Sequence, residues 1–254
     1  MSLIIDGGIT IGAGVTITPS YSVVTDGLVF ELDAGNTASY PGTGNDWYDL
    51  VGSADATLPN GATYSSSNGG ILTFERNADP AYSQSAHAGD LAGGALTTFT
   101  AETWVRFDTL DNSAGNATCT ITEVYASTPI NYAISNGLSG NPLVWQGGYY
   151  GGAGDWHLAG TLVPVINTWY CMAVTYDGTN VRFYVDGALN DTTASAVTPG
   201  SSGLGIHVGE RWDAPTYPLS FLDGSVPVVR LYNRALSASE ISQNYNALRG
   251  RYGV

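Results

Sequence analysis

The chain has 254 residues, 43% of them hydrophobic, which is enough to bury a core and excludes general disorder. Only 12% are charged, and 22 Asp and Glu against 8 basic residues give a net charge of −14, which argues against nucleic acid and anionic membrane surfaces as partners. Every basic residue is an arginine, so no lysine is present to build a P-loop or a Schiff base, and 33 Gly with 11 Pro point to many short strands joined by turns.

The amino terminus lacks a basic region, carries Asp6 and is broken by Gly7, Gly8, Gly12 and Gly14, so it does not read as a signal peptide. No apolar run approaches the ~18 residues of a membrane span. Within ITIGAGVTIT, Ile9, Ile11, Val15 and Ile17 share one parity. Residues 1–24 are therefore read as an arm, which is either an extra edge strand or an extended segment that docks on another subunit. The remainder, residues 25–254, reads as one domain.

From there period-two alternation recurs. GLVFELD sets Leu28, Phe30 and Leu32 against Val29, Glu31 and Asp33, and VRFYVD sets Val181, Phe183 and Val185 against Arg182, Tyr184 and Asp186. Similar strands are predicted for ILTF, TTFTAETWVRF, TCTITEVY, INYAIS, PLVWQ, WYCMAVTY, GIHVG and VPVVRLY, with hairpin turns at Asp177-Gly178 and Asp186-Gly187. Trp104 has the parity of Glu102 and Arg106, opposite to Val105 and Phe107, and so faces either a concave surface or a second layer of core. Cys119 and Cys171 sit in strand-like stretches and are expected as free, buried thiols.

One segment departs from this pattern. Ser237-Ala238-Ser239-Glu240 is a capping box, Leu236 and Ile241 form a hydrophobic staple, and Ile241, Tyr245 and Leu248 follow at helical spacing. A helix of about three turns is predicted, stopping at Arg249 and Gly250.

The strings GLVFELDAGNTASYPGTGNDWYDL, GGILTFERNAD, FTAETWVRF, NTWYCMAVTYDGTNVRFYVDGAL and DGSVPVVRLYNRALSASEISQNYNALRGRYG run in order over residues 27–253. Together they resemble the concanavalin A-like lectin and glucanase superfamily in its laminin-G-like version. The resemblance implies an all-β fold, a two-sheet antiparallel jelly-roll sandwich with one short C-terminal helix, preceded here by the N-terminal extended arm. Adjacent first and last strands would set Arg230 near Glu31 or Asp33. The Asn-Arg-Ala-Leu-Ser helix looks similar to domains of tailed-phage virion proteins, which implies assembly in a host cytoplasm and a place on the virion exterior.

Catalytic patterns are sparse. Hydrolytic members of that superfamily carry Glu-x-Asp-x-x-Glu on one strand; Glu31-Leu32-Asp33 starts the pattern but ends in Asn36. Gly-x-Ser-x-Gly does not occur. His87, His157 and His207 lie about 50 or more residues apart without zinc-site spacing. The loop with Asp33, Asn36, Asn45, Asp46 and Asp49 offers calcium-type oxygens without a fixed spacing, and Pro227 stands where the family often has an acidic residue, so ordinary turns are expected and no cofactor is assigned.

Recognition has a richer candidate. In WQGGYYGGAGDWHLAG, Trp145, Tyr149, Tyr150, Trp156 and His157 are interleaved with glycine and Asp155, and Arg211-Trp212 forms a smaller set. Sugars stack their C–H faces on such rings while their hydroxyls pair with polar groups. Packing beneath their own loop is the competing reading. The sequence thus predicts a non-enzymatic virion structural protein, a capsid decoration or fibre component whose partners are other virion proteins and copies of itself. The alternatives are a carbohydrate-binding adhesin that recognises a cell-surface glycan and, less expected, a glycoside hydrolase.

Overall fold

Alternating apolar residues become strands throughout the computed structural model, which describes residues 21–77, 81, 83–89, 91, 96–110, 119–123, 133–136, 144–150, 156–197, 199, 205–210 and 221–254. The arm positions Ile9, Ile11, Val15 and Ile17 lie outside the described residues. In chain order the strands are β1 (Leu28–Asp33), β2 (Asp46–Trp47), β3 (Ala56–Thr57), β4 (Thr63–Ser65), β5 (Ile71–Phe74), β6 (Ala86–Ala88), β7 (Phe99–Phe107) and β8 (Cys119–Glu123). They continue as β9 (Ala133–Asn136), β10 (Trp145–Tyr150), β11 (Trp156–Leu162), β12 (Trp169–Tyr176), β13 (Asn180–Val185), β14 (Ala188–Ala194), β15 (Ile206–Val208) and β16 (Gly224–Tyr232). A helix, α1 (Ala238–Tyr252), closes the chain.

Two antiparallel sheets face each other. Sheet A runs β14-β13-β12-β7-β16-β5-β4, with β1 also on β16, and sheet B runs β11-β10-β9-β8-β15-β6-β3-β2. Their inner faces share one core that includes Phe30, Leu32 and Phe183 from sheet A and Trp47, Trp145, Ile206 and Val208 from sheet B.

The expected plain two-sheet jelly roll is corrected. The all-β fold with a C-terminal helix holds, but sheet A is forked and its outer face is covered. Gly224 and Ser225 of β16 pair with β5, whereas Val228 to Tyr232 pair with β1. Pro227 lies where the register against β7 shifts between Ser225 and Val228. A proline donates no ladder hydrogen bond, which suits the strand changing partners there. Its carbonyl accepts from Ala34 N at 2.9 Å.

The helix makes a third layer. Trp104, Trp169, Cys171 and Val228 pack with Tyr252 on the outer side of sheet A, and Ala173, Tyr184 and Tyr232 pack with Leu236 and Ile241. This accounts for β7, β12 and β16 being buried along nearly their whole length, on both faces. Trp104 is thereby assigned to a second core layer, its ring stacked 4.3 Å from Tyr252 and 5.8 Å from Tyr245. Cys171 is a free, buried thiol whose burial pushes its pKa up.

Local signals behaved as their chemistry requires. Ser237 and Glu240 form the reciprocal capping box. The helix ends later than expected, at Tyr252, because Gly253 takes the left-handed cap conformation with φ 74°. Asp186 and Gly187, with φ of 52° and 78°, make the tight turn between β13 and β14. A register shift between Leu28 and Phe30 removes Leu28 from the face of Phe30 and Leu32; it packs instead with Tyr232 and Ile241.

Candidate functional site

Strand register decides which of the glycine-interleaved aromatics reach solvent. β10 pairs with β11 so that Tyr149 opposes His157 and Tyr150 opposes Trp156. Trp145 and Tyr149 face the core: Trp145 packs on Phe107 with centroids 4.6 Å apart, and Tyr149 lies 4.5 Å from Tyr176. Neither ring presents a face to solvent. The glycines between them serve close packing, since a Cβ on Gly147 would lie 2.5 Å from Val174 of the opposite sheet.

Tyr149 is also held by polar contacts. Its hydroxyl lies 2.8 Å from Ser195 Oγ and donates to Val197 O at 2.6 Å, while His157 Nδ1 lies 2.9 Å from the same Ser195 Oγ. Burial raises the Tyr149 pKa well above the usual phenol range. His157 stacks on Tyr149 at 5.0 Å, on the inner side. Trp156, of opposite parity, is half-buried on the outer side. Asp155, Arg211, Trp212 and the side chain of Tyr150 lie outside the described residues.

The structure also assembles a cluster that sequence spacing did not reveal. β6 and β15 are adjacent, with His87 directly opposite His207. Ala86, Ala88, Ile206 and Val208 point into the core, so both imidazoles project from the outer face of sheet B. The rings stack 4.2 Å apart at 12°. Gly209, with φ of 80°, turns the chain beyond β15 and brings Glu210 back against both rings. Glu210 Oε1 lies 2.8 Å from His87 Nε2 and also contacts His207 Nδ1, while Ser85 Oγ donates to Oε2 at 2.8 Å. Burial opposes the charge on Glu210, but the contacts from His207 and His87 outweigh it and hold the carboxyl at about 2.

The carboxylates that begin a hydrolase pattern are otherwise engaged. Glu31 pairs with the buried Arg230 at 2.7 Å and Asp33 with Arg251 at 2.7 Å, which realises the expected pairing of the closing segment with the first strand. In the Asp33 to Asp49 loop the oxygens serve backbone amides. Asp49 accepts from Glu31, Val51, Gly52 and Ala54, Asn36 from Ala38, and Asp33 from Gly35.

Two facing antiparallel sheets with a covering helix define a lectin-type β-sandwich. Residues 77–242, more than half the chain, match the family model of the concanavalin A-like lectin/glucanases superfamily, and the chain belongs to that family. No curated protein matches it. Among solved structures, the sialidase of Trypanosoma rangeli is similar with a TM-score of 0.65 and 20% identity, over 91% of this chain and 34% of that one. The same sialidase in complex with sialic acid aligns with a TM-score of 0.62 and 20% identity, over 93% and 36%. The binding domain of botulinum neurotoxin DC in complex with SialylT aligns with a TM-score of 0.66 and 13% identity, over 88% and 52%. The chain thus spans about a third of the sialidase chains it resembles.

These relatives overturn the expectation of a virion structural protein, and with it the expected partners, other virion proteins and copies of the chain. The expectation of a non-enzyme is likewise corrected, because the fold is shared with a sialidase. At such identities the likeness itself establishes the fold.

Proposed function

We propose that the chain is a carbohydrate-binding domain. One relationship carries the reading: its fold is shared by a sialidase solved with sialic acid and by a toxin binding domain solved with SialylT, proteins of otherwise different kinds. Physical features support a location for the site. Helix α1 occupies the outer face of sheet A, so a ligand is directed to sheet B, where Trp156 is half-buried and Tyr150 stands opposite it in register. An indole face stacks on the C–H side of a sugar ring. Asp155, Arg211 and Trp212, outside the described residues, stay candidates on their chemistry alone, Arg211 suiting a sugar carboxylate through its planar fork.

The test is a panel of sialylated and desialylated glycans presented to the folded chain. Retention on a defined subset, lost in Trp156→Ala and Tyr150→Ala, is expected. Binding that survives both substitutions unchanged would move the site elsewhere.

The sialidase likeness favours a second reading, glycoside hydrolysis. It cannot use Glu31 and Asp33 as a free catalytic pair, because both are bound to arginines. Release of sialic acid from a chromogenic sialoside by the purified chain would establish it, and absence of release together with glycan retention would leave binding alone.

A further inference from the structure

We infer that His87, His207 and Glu210 form a binding site for one divalent transition-metal ion, zinc foremost, on the outer face of sheet B. The inference is independent of the carbohydrate reading. It starts from register: direct pairing of His207 with His87 places two imidazoles side by side on neighbouring strands, and the Gly209 turn adds a carboxylate from three residues beyond His207. The three ligand atoms, one from each residue, lie within 4.8 Å of one another. Two imidazole nitrogens and one carboxylate oxygen suit zinc and its first-row neighbours better than calcium or magnesium, which prefer oxygen alone.

A second observation points into the same space. His207 Nδ1 is buried and lacks a hydrogen-bond partner, although it lies against Glu210 Oε1. The contact therefore brings the two atoms together without the direction of an N–H···O bond, so Glu210 does not satisfy His207 Nδ1. Tetrahedral zinc with bonds of ~2.0–2.1 Å spaces its ligands ~3.3 Å apart, so both imidazole nitrogens must withdraw from Oε1, His87 Nε2, now 2.8 Å away, by roughly half an ångström and His207 Nδ1, which lies closer still, by more. The His87 side chain is 37% exposed and has room to do so.

The surroundings are those of a supported site. Glu210 is 6% exposed at its side chain, and its second oxygen is fixed by Ser85 Oγ, an outer contact that orients a ligating carboxylate. Three protein ligands leave a fourth position for water or for an oxygen of a bound molecule, with access on the His87 side. Binding requires the imidazoles to present lone pairs, so affinity falls as they are protonated.

The experiment uses the full chain after treatment with chelator and gel filtration, titrated with zinc chloride against a chromogenic chelator and, separately, with cobalt(II). One zinc per chain is expected, with visible cobalt absorption of tetrahedral intensity. His87→Ala and His207→Ala should each weaken zinc binding by at least about 30-fold, and Glu210→Gln by about 10-fold or more. His157→Ala, on the other side of the sheet, should bind as the parent does. Because Glu210 is buried, His87→Ala is the deciding variant, with its fold checked by far-UV circular dichroism. Substoichiometric zinc, or a folded His87→Ala protein that binds zinc as tightly as the parent, would overturn the inference and leave a carboxylate in contact with two imidazoles.

Discussion

Arg230 and Glu102, both buried, meet at 3.0 Å across β16 and β7, directly opposite each other in the sheet. Glu31 approaches the same guanidinium from β1 at 2.7 Å, so three adjacent strands carry a carboxylate, a guanidinium and a carboxylate in one row. Asn244 of α1 donates to the other oxygen of Glu102 and accepts from Val24 N. The polar row is therefore the seam between sheet A, the helix and the segment that enters β1. Removing Glu102 takes one of two carboxylates from a buried guanidinium and the acceptor from Asn244, and Glu102→Ala should lower unfolding stability by about 3 kcal/mol in urea titration. A loss below about 1 kcal/mol would show that the row contributes specificity without stability.

The helix should depend on its aromatic anchor. Trp104 is fully buried and stacks on Tyr252 and Tyr245. Trp104→Ala opens a cavity between sheet and helix and should cost about 3–5 kcal/mol, read as a lowered thermal midpoint. If Trp104 lined a concave ligand surface instead, the cost would be far smaller.

Acid should weaken the start of the helix. The hydrogen bond from Arg234 holds the Glu240 carboxyl down at about 2, below its ordinary value of 4.5. A depressed folded-state pKa adds stability that is fully present above the ordinary carboxyl range and is lost as pH falls from about 4.5 to about 2. Glu240 is partly exposed, so screening reduces the contribution to about 1 kcal/mol. Glu240→Gln should flatten that portion of a stability-versus-pH curve, and Ser237→Ala should cost about 1 kcal/mol at neutral pH.

The β13–β14 turn should reject a side chain. Gly187 has φ of 78°, and a Cβ there would meet Tyr245 at 3.0 Å. Gly187→Ala combines left-handed strain with crowding against the helix, and a loss of about 1–2 kcal/mol is expected by denaturant titration. Gly61, also at positive φ but with nothing within 4 Å of a Cβ, is the control for strain alone.

Local chemistry made part of this architecture legible. The capping box of Ser237 and Glu240, the Asp186-Gly187 turn and the nearness of Arg230 to Glu31 all rest on short-range rules or on pairing of the first and last strands. The register shift beside Leu28 and the fork at Pro227 depend on which neighbour each strand finds, and so escaped a linear reading. The same reason hid the histidine cluster: His87 and His207 meet through β6–β15 pairing, to which spacing along the chain is blind. At Trp145 and Tyr149 the signal is local: both share a parity with Gly147, which places all three on one strand face, whereas interleaved glycine also suits rings presented on a loop or exposed strand.

Carbohydrate binding is decided by a calorimetric titration of the folded chain with the glycan selected from the sialylated and desialylated panel. Saturable one-to-one binding is expected, abolished by competing free glycan and weakened at least about 10-fold in Trp156→Ala, in keeping with a stacking contact of about 1–1.5 kcal/mol or more. A folded chain that gives no saturable binding to any glycan of the panel would contradict it.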